Sequence, residues 1–449
     1  MVNNMKSVAL HNLGCKVNGY ETDVMQQMLQ EKGYKIVPFD EQADIYIINT
    51  CTVTNIADRK SRQMLHRAKK KNPEAVVVAV GCYVQTGKEE ALLDDSIDLA
   101  IGNNRKKDLI PILEEFLTGK DEDKTLHGRT VIDVNHTDEY ESMMLVHTAE
   151  HTRAFLKIQD GCNQFCSYCI IPFARGRVRS RSMEEILEEA GGLVQAGYKE
   201  IVLTGIHISS YGMEWDGEQG RLDGRHLLTL IERLQELVGL ERIRLGSLEP
   251  RIISEEFVGG IAATQKVCPH FHLSLQSGSD AVLKRMNRHY TTAEYEAGVG
   301  LLRSAYGNPA ITTDVIAGFP GETEEEFEET RQFLKRVGFY EMHIFKYSRR
   351  QGTRAAAMTD QIPERVKAVR SNVLLQEEAQ MSHAFREKLL QTRTAVLMEE
   401  TRTVEDKIYQ IGHTKEYVKV AKQTPESLSG QIIEGMITGF LTPDILLLQ

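Results

Sequence analysis

Gly161-Cys162-Asn163-Gln164-Phe165-Cys166-Ser167-Tyr168-Cys169 is the stretch on which the reading of the chain turns. Its cysteines stand four and then three residues apart, so one short loop can aim three thiolates at a common centre, as soft iron-sulfur ligation requires. A fourth corner is left open. Structural zinc sites, the competing reading, close with four protein ligands, usually as two CxxC-type pairs. No second pair lies nearby, so a cluster with one unfilled iron fits the spacing better.

Around this loop the sequence alternates strand and helix patterns. From Arg153 onward, strands are expected at Ala154 to Ile158, Glu200 to Leu203, Arg242 to Gly246, Phe271 to Leu275, Ala310 to Ala317 and Tyr340 to Tyr347. Helical patterns such as Ser182 to Ala190 and Thr323 to Val337 separate them, which implies an incomplete parallel barrel of six units. Polar residues follow the strand ends: Cys162, Thr204-Gly205, Ser247 to Glu249, Gln276-Ser277-Gly278, Gly318 with Gly321-Glu322, and Ser348-Arg349. Barrel enzymes keep their active sites at that mouth. Arg175, Arg177, Arg179 and Arg181, at every other position just past the loop, are expected to line it and to suit phosphate.

Upstream, to about residue 120, three strands each deliver one cysteine. Ser7 to Leu10 leads to Cys15, Ala43 to Ile48 to Cys51, and Ala75 to Val80 to Cys82. In an open parallel sheet the C-terminal strand ends share one edge, so these three thiols are a candidate second site. Any one of them could be a small buried hydrophobe; the repetition argues for convergence. Helices are expected from Glu21 to Lys32 and, strongly basic, from Ala57 through Lys71; the latter reads as a solvated face.

Leu117 to Thr152 reads as a polar linker with at most one short strand, and Pro363 to Leu390 as one long helix. Beyond it, Thr394 to Met398, Lys407 to Ile411, Tyr417 to Val420, Gln431 to Thr438 and Ile445 to Leu448 suggest a small antiparallel barrel, a module that often binds single-stranded nucleic acid. The net charge of -10 argues against wholesale coating of nucleic acid, leaving local patches to do any binding. No apolar run reaches the roughly 18 to 20 residues that span a bilayer. With no export-type start and an odd count of seven cysteines, a cytoplasmic protein using thiols as ligands is expected. Cys268 reads as structural or incidental, His270 and His272 as packing or solvent-facing, and Met25 and Met28 as a core stripe.

CxxxCxxC with Tyr168 before its last cysteine resembles the signature of radical S-adenosylmethionine (SAM) enzymes. With LGCKVNGYET, NTCTVTNIADRKSRQ, VGCYVQ, LTGIHISSYG, HLSLQSGSDAVLKRMNR, TTDVIAGFPGET and YSRRQGTRAA, nearly the whole chain is similar to the methylthiotransferases. The resemblance implies a multidomain α/β protein. Its parts would be an N-terminal open parallel α/β sheet domain (1–120), a linker (121–147), a partial (β/α)6 radical SAM barrel (148–380) and a small C-terminal antiparallel β-barrel, the TRAM domain (381–449). Two 4Fe-4S clusters are implied: Cys162, Cys166 and Cys169 hold the SAM-cleaving one, and Cys15, Cys51 and Cys82 the auxiliary, sulfur-carrying one. SAM is the implied cosubstrate, with Tyr168 and Ile316 flanking its adenine, Thr204-Gly205 meeting its amino group, and Gln276 and Ser277 close by.

The implied reaction puts sulfur and methyl at an unactivated C–H bond, where acid-base catalysis has no handle and a carbon radical does. LGCKVN, NTCTVTN and IIPFARG look most like the group acting on N6-threonylcarbamoyladenosine at position 37 of the tRNA anticodon stem-loop. The product would be 2-methylthio-N6-threonylcarbamoyladenosine. Alternatives are isopentenyladenosine in tRNA, an aspartate of a ribosomal protein, or, in another class, a non-catalytic iron-sulfur tRNA-binding or redox-sensing protein. Arg175, Arg177 and Arg349 are the candidates by position for the substrate carboxylate. The sequence identifies neither the reductant protein nor the sulfur donor.

Overall fold

The computed structural model describes residues 5–87, 93–119, 130–145 and 152–449. The first sheet is parallel, in the order β2-β1-β3-β4-β5. Its strands are β1 (Ser7–Asn12), β2 (Lys35–Ile36), β3 (Ile45–Thr50), β4 (Val76–Gly81) and β5 (Leu99–Ile101). All six residues of β3 are buried, as a central strand covered on both faces requires. β2 and β5, with two and three residues, are too short to leave a period in the sequence. Helix α1 (Lys16–Glu31) begins directly after Cys15, five residues before its expected start. Helix α2 (Asn55–Lys71) is capped by the Thr54 hydroxyl, which accepts from the Ala57 N–H. A one-turn helix, α3 (Cys82–Thr86), opens on the third cysteine.

The second unit holds β6 (Arg153–Asp160), β7 (Arg179–Ser180), β8 (Glu200–Gly205) and β9 (Arg242–Leu245), ordered β7-β6-β8-β9. It continues into β10 (His270–His272), β11 (Ala310–Ala317) and β12 (Glu341–Lys346). Parallel bridges from Ile243 to Val267 and from Leu248 to Leu273 join the two sheets. β6, β8, β9, β10, β11 and β12 are the six expected strands, in one parallel arc; β7 is an added antiparallel partner of β6. The pleat sorts the faces. Phe271, Leu273, Ile311, Val315 and Ala317 join the core under the helices, so Thr312, Asp314 and Ile316 point to the inside of the arc.

Of the expected linker, residues 121–129 and 146–147 lie outside the described residues. Residues 130–145 contain no strand and are packed down, with Val131, Val134, Met143 and Leu145 buried. The Tyr20 hydroxyl of α1 donates to the Met143 carbonyl at 2.7 Å, and the Tyr140 hydroxyl to that of Lys157 at 3.1 Å. This segment thus bridges the first sheet and the arc.

After a helix from Glu364 to Glu387, five strands close into a barrel ordered β13-β14-β15-β17-β16. They are β13 (Arg393–Val404), β14 (Lys407–His413), β15 (Lys419–Gln423), β16 (Ile432–Thr442) and β17 (Ile445–Leu448). The expected antiparallel pattern holds at four of the five pairings, while β15 and β17 run parallel. A closed ring of odd strand number cannot alternate all the way round, so one parallel pair is forced. Arg242 and Arg244 of β9 tie this barrel to the arc, donating to the carbonyls of His413 and Ala395 and of Lys415 and Thr414.

Candidate iron-sulfur centre

The loop that opened the sequence reading follows β6 and is pinned by backbone. Gly161 has φ +72°, and a Cβ there would lie 1.7 Å from the Arg177 carbonyl oxygen, so only glycine fits. The Cys162 N–H donates to the Gly176 carbonyl at 3.0 Å, and Ser167 exchanges bonds with Met286 and Ala355. Arg288 donates to the Cys166 sulfur at 3.3 Å and to Glu249 at 2.7 Å. Burial, with repulsion from Cys166, pushes the Cys162 thiol up to about 12; burial and the same neighbour raise Cys169 as well. Three thiolates are too costly here unless a cation takes them.

The second trio forms at the predicted sheet edge. Gly14 (φ +105°) lies against Cys51: a Cβ would stand 2.8 Å from the Cys51 Cβ and 2.9 Å from its sulfur. Cys82 accepts from Arg175 Nε at 3.3 Å and Asn103 Nδ2 at 3.5 Å. Burial raises Cys15 and takes Cys51 to about 11; Cys82 adds to the rise at both, and Cys15 to that of Cys51, as thiols sharing one site must. In neither trio do all three sulfurs come within 4.8 Å of one another, the spacing that would let a single ion take them all. A cubane gives each thiolate its own iron and takes a wider spacing than one ion does, so these soft donor sets are compatible with a cluster.

The arginine ladder is not what the sequence suggested. Arg175, Arg179 and Arg181 are buried, and of the four only Arg177 is exposed. Arg175 donates to Glu21 at 2.5 and 3.0 Å, to Asp160 at 3.0 Å and to Asn18 at 2.6 Å, besides Cys82. Every nitrogen of its guanidinium is committed, so Arg175 cannot also bind a substrate carboxylate. Arg181 pairs with Glu189, and Arg179 holds the carbonyls of Arg175 and Arg177. Alternate spacing lines one side only where the chain is extended. Between Arg175 and Arg181 only Arg179–Ser180 is strand; Arg175 ends the short helix Ile171–Arg175, and the rest is loop folded between the first sheet and the arc. Arg177 lies over the exposed Phe165 ring, 4.5 Å from its centroid.

The residues expected around SAM divide similarly. Tyr168 and Ile316 pack on one apolar cluster with Val282, Met286, Phe319, Tyr347 and Ala355, close to the cysteine loop. Thr204 and Gly205 end β8, and a Cβ on Gly205 would crowd the Gln159 carbonyl at 3.0 Å. Gln276 takes φ +71° and its backbone pairs with Asp314 and Ile316. Ser277 is turned away: its hydroxyl meets Thr330 at 3.2 Å in the helical layer, so it is not presented to the inside of the arc. Arg349 is exposed and lines a cleft of about 750 Å³ with Asn55, Tyr83, Ile170 and Arg350. Tyr83 follows Cys82 and Ile170 follows Cys169, so the cleft is lined by a chain neighbour of one cysteine from each trio.

The family described as Uncharacterized protein family UPF0004 matches residues 7–102, and the Radical SAM superfamily matches residues 156–334. Over 433 residues the chain is 40% identical to the threonylcarbamoyladenosine tRNA methylthiotransferase MtaB of Bacillus subtilis (strain 168), covering 96% of this chain and 93% of that protein. This chain belongs to the radical SAM methylthiotransferase family. The protein of the same name from Aquifex aeolicus (strain VF5) is 43% identical over 381 residues, 85% of this chain and 90% of its own. A tRNA-2-methylthio-N(6)-dimethylallyladenosine synthase from Acetivibrio thermocellus is 34% identical over 435 residues, 95% and 88%. In fold, the radical SAM methyltransferase TsrM of Kitasatospora setae superposes with TM-score 0.54 at 17% identity, over 76% of this chain and 73% of that one.

Three residues of this methylthiotransferase escaped the sequence reading. Arg288 sits inside the quoted HLSLQSGSDAVLKRMNR motif but had no visible partner until the fold brought Cys166 to it. Arg350 is buried and holds Asn55, Asp58 and Thr52, clamping α2 to the end of β12. Lys16, beside Cys15, is reachable by solvent yet crowded enough that burial, with Arg153 and Arg244, holds its ammonium below the ordinary lysine range. Glu200 is the one anion that opposes those two cations. Lys16 has no hydrogen-bond or ion-pair partner among the described residues. A cation at a helix N-terminus opposes the helix dipole, so nothing local explains it.

Proposed function

We propose that this enzyme methylthiolates N6-threonylcarbamoyladenosine at position 37 of tRNA. The observation that carries the reading is a polar cleft lined by Tyr83 and Ile170, the residues that follow Cys82 and Cys169, joined to relatives that bear that activity in their names. Cys162, Cys166 and Cys169 would hold one 4Fe-4S cluster and Cys15, Cys51 and Cys82 the other. When bound, SAM and the two clusters supply a carbon radical and a methylated sulfur. The chain's own residues do the remaining tasks: Tyr168 and Ile316 enclose the adenine of SAM, Thr204 and Gly205 meet its amino end, and Arg288 offsets thiolate charge at Cys166. Arg177 on Phe165, at the outer surface of the loop, suits stacking and phosphate contact with an unpaired loop base.

The threonyl carboxylate needs a cation, and Lys16 takes the part first given to Arg175. It stands next to a cluster cysteine and lacks an anionic partner, while Glu200 nearby is already bound by Arg244. Arg177 and Arg349 remain candidates at the rim. Losing one charge-assisted contact costs about 1.5–3 kcal/mol, so Lys16→Ala should raise KM for the threonylcarbamoylated tRNA about 10- to 100-fold. An unchanged KM removes Lys16 from recognition.

The reading as a whole is tested by mass spectrometry of tRNA nucleosides from a strain lacking the protein and from one re-expressing it. Methylthio-threonylcarbamoyladenosine should vanish and return. If methylthio-isopentenyladenosine is lost instead, the substrate assignment fails while the family stands.

A further inference from the structure

Outside both cysteine trios, the strands β10, β11 and β12 present His272, Asp314 and His343 together. In the parallel register His272 is opposite Thr312, and Asp314 is opposite His343, so all three lie on the inner face of the arc with Ile316. One ligand atom from each falls within 4.8 Å of the others, the only trio of histidine, cysteine, aspartate or glutamate among the described residues to do so.

We propose that His272, Asp314 and His343 form a mononuclear divalent-cation site of the two-histidine, one-carboxylate type, suited to zinc or ferrous iron. His272 Nδ1 lies 3.1 Å from the Thr312 hydroxyl, the second contact that orients a metal-binding imidazole. That leaves Nε2 as the ligand atom, and Nε2 is buried without a hydrogen-bond partner. It stands 3.4 Å from Asp314 Oδ2. A charge-assisted hydrogen bond would close that gap to about 2.7–2.9 Å. Two ligands at about 2.05 Å from a tetrahedral ion stand about 3.3 Å apart instead. His343 stacks on His272 with ring centroids 5.9 Å apart and is exposed, so the coordination sphere has an open side toward the inside of the arc. Two imidazoles and one carboxylate are the donors of borderline metals, not of magnesium or calcium. No local spacing announces the group, because its three residues lie on three strands separated by helices. The site does not depend on which nucleoside is modified.

The test uses the holoenzyme with both clusters loaded, so that the cysteines are occupied. Zinc is added at one equivalent, the protein is desalted anaerobically, and retained zinc is measured with its K-edge absorption, which iron does not mask. One zinc per chain with only nitrogen and oxygen neighbours near about 2.0 Å is expected. Thr312→Val should weaken retention about 10-fold, and His272→Asn and Asp314→Asn by about 100-fold or more, with iron content unchanged as the check on folding. No retained zinc in the native holoenzyme, sulfur neighbours near about 2.3 Å, or equal retention in both ligand variants would each overturn the site.

Discussion

Cys166→Ala is expected to bring SAM cleavage to background, and Cys51→Ala to leave it while ending sulfur insertion into tRNA. The two trios lie on different units, one on the loop after β6 and the other at the edge of the first sheet. Removing a ligand from one therefore leaves the other's donor set whole. Cys51 is the better choice in its trio, because Cys82 also accepts from Arg175 and its loss would disturb the buried ion network. The readouts are 5'-deoxyadenosine released from SAM and methylthio product in tRNA, with iron content measured in each variant. If Cys51→Ala loses SAM cleavage as completely as Cys166→Ala, the two trios do not have separate tasks.

The second large effect is structural. Glu21, with no exposed side-chain area, sits among Lys106 at 2.7 Å, Lys157 at 2.7 Å and Arg175 at 2.5 Å; Lys157 and Arg175 also reach Asp160. α1 and Lys106 belong to the first sheet, Lys157, Asp160 and Arg175 to the arc, so the network is the joint between them. Three cations face two carboxylates, and the surplus is directed at Cys82 through Arg175 Nε. Glu21→Gln leaves buried cations undercompensated, which costs about 3–5 kcal/mol. A lower denaturation midpoint and earlier proteolytic separation of the two units are expected.

The pH response of this joint has a definite sign. Burial by itself would raise Glu21, but Arg175, Lys106 and Lys157 hold it well below the ordinary carboxylate range; Lys157 and Arg175 likewise lower Asp160. A depressed carboxylate contributes stability that is complete above the unfolded value near about 4 and is lost only as acid passes the lowered folded value. The native joint should therefore survive at pH 5, where Glu21→Gln already shows its loss. A native midpoint that fell between pH 7 and 5 in parallel with surface carboxylates would refute this account.

Most of the fold was legible because strand and helix periods are local. The six core strands, the long helix and the five barrel strands all overlap the stretches where apolar spacing put them, though β10 ends at His272, short of the expected Leu275, and strands as short as β2, β5 and β7 leave no period. The cysteine trios were legible for a similar reason: one lies within a nine-residue loop, and the other repeats at the same place in successive strand-helix units.

The arginines were misread because charge in a sequence carries no direction. Arg175, Arg177, Arg179 and Arg181 look equivalent along the chain, yet one is exposed and three are buried. Their partners, Glu21, Asp160 and Glu189, lie 154, 15 and 8 residues away.

By itself, then, the sequence determined the family, the order of the units and the thiols that could gather, since each is written in spacing that one strand, loop or repeat contains. Only the tertiary structure decided which cations are left free to act. Burial and pairing depend on what the other strands bring: Glu21 consumes Arg175, Asp314 meets His272, and Lys16 is left without an ion-pair partner among the described residues.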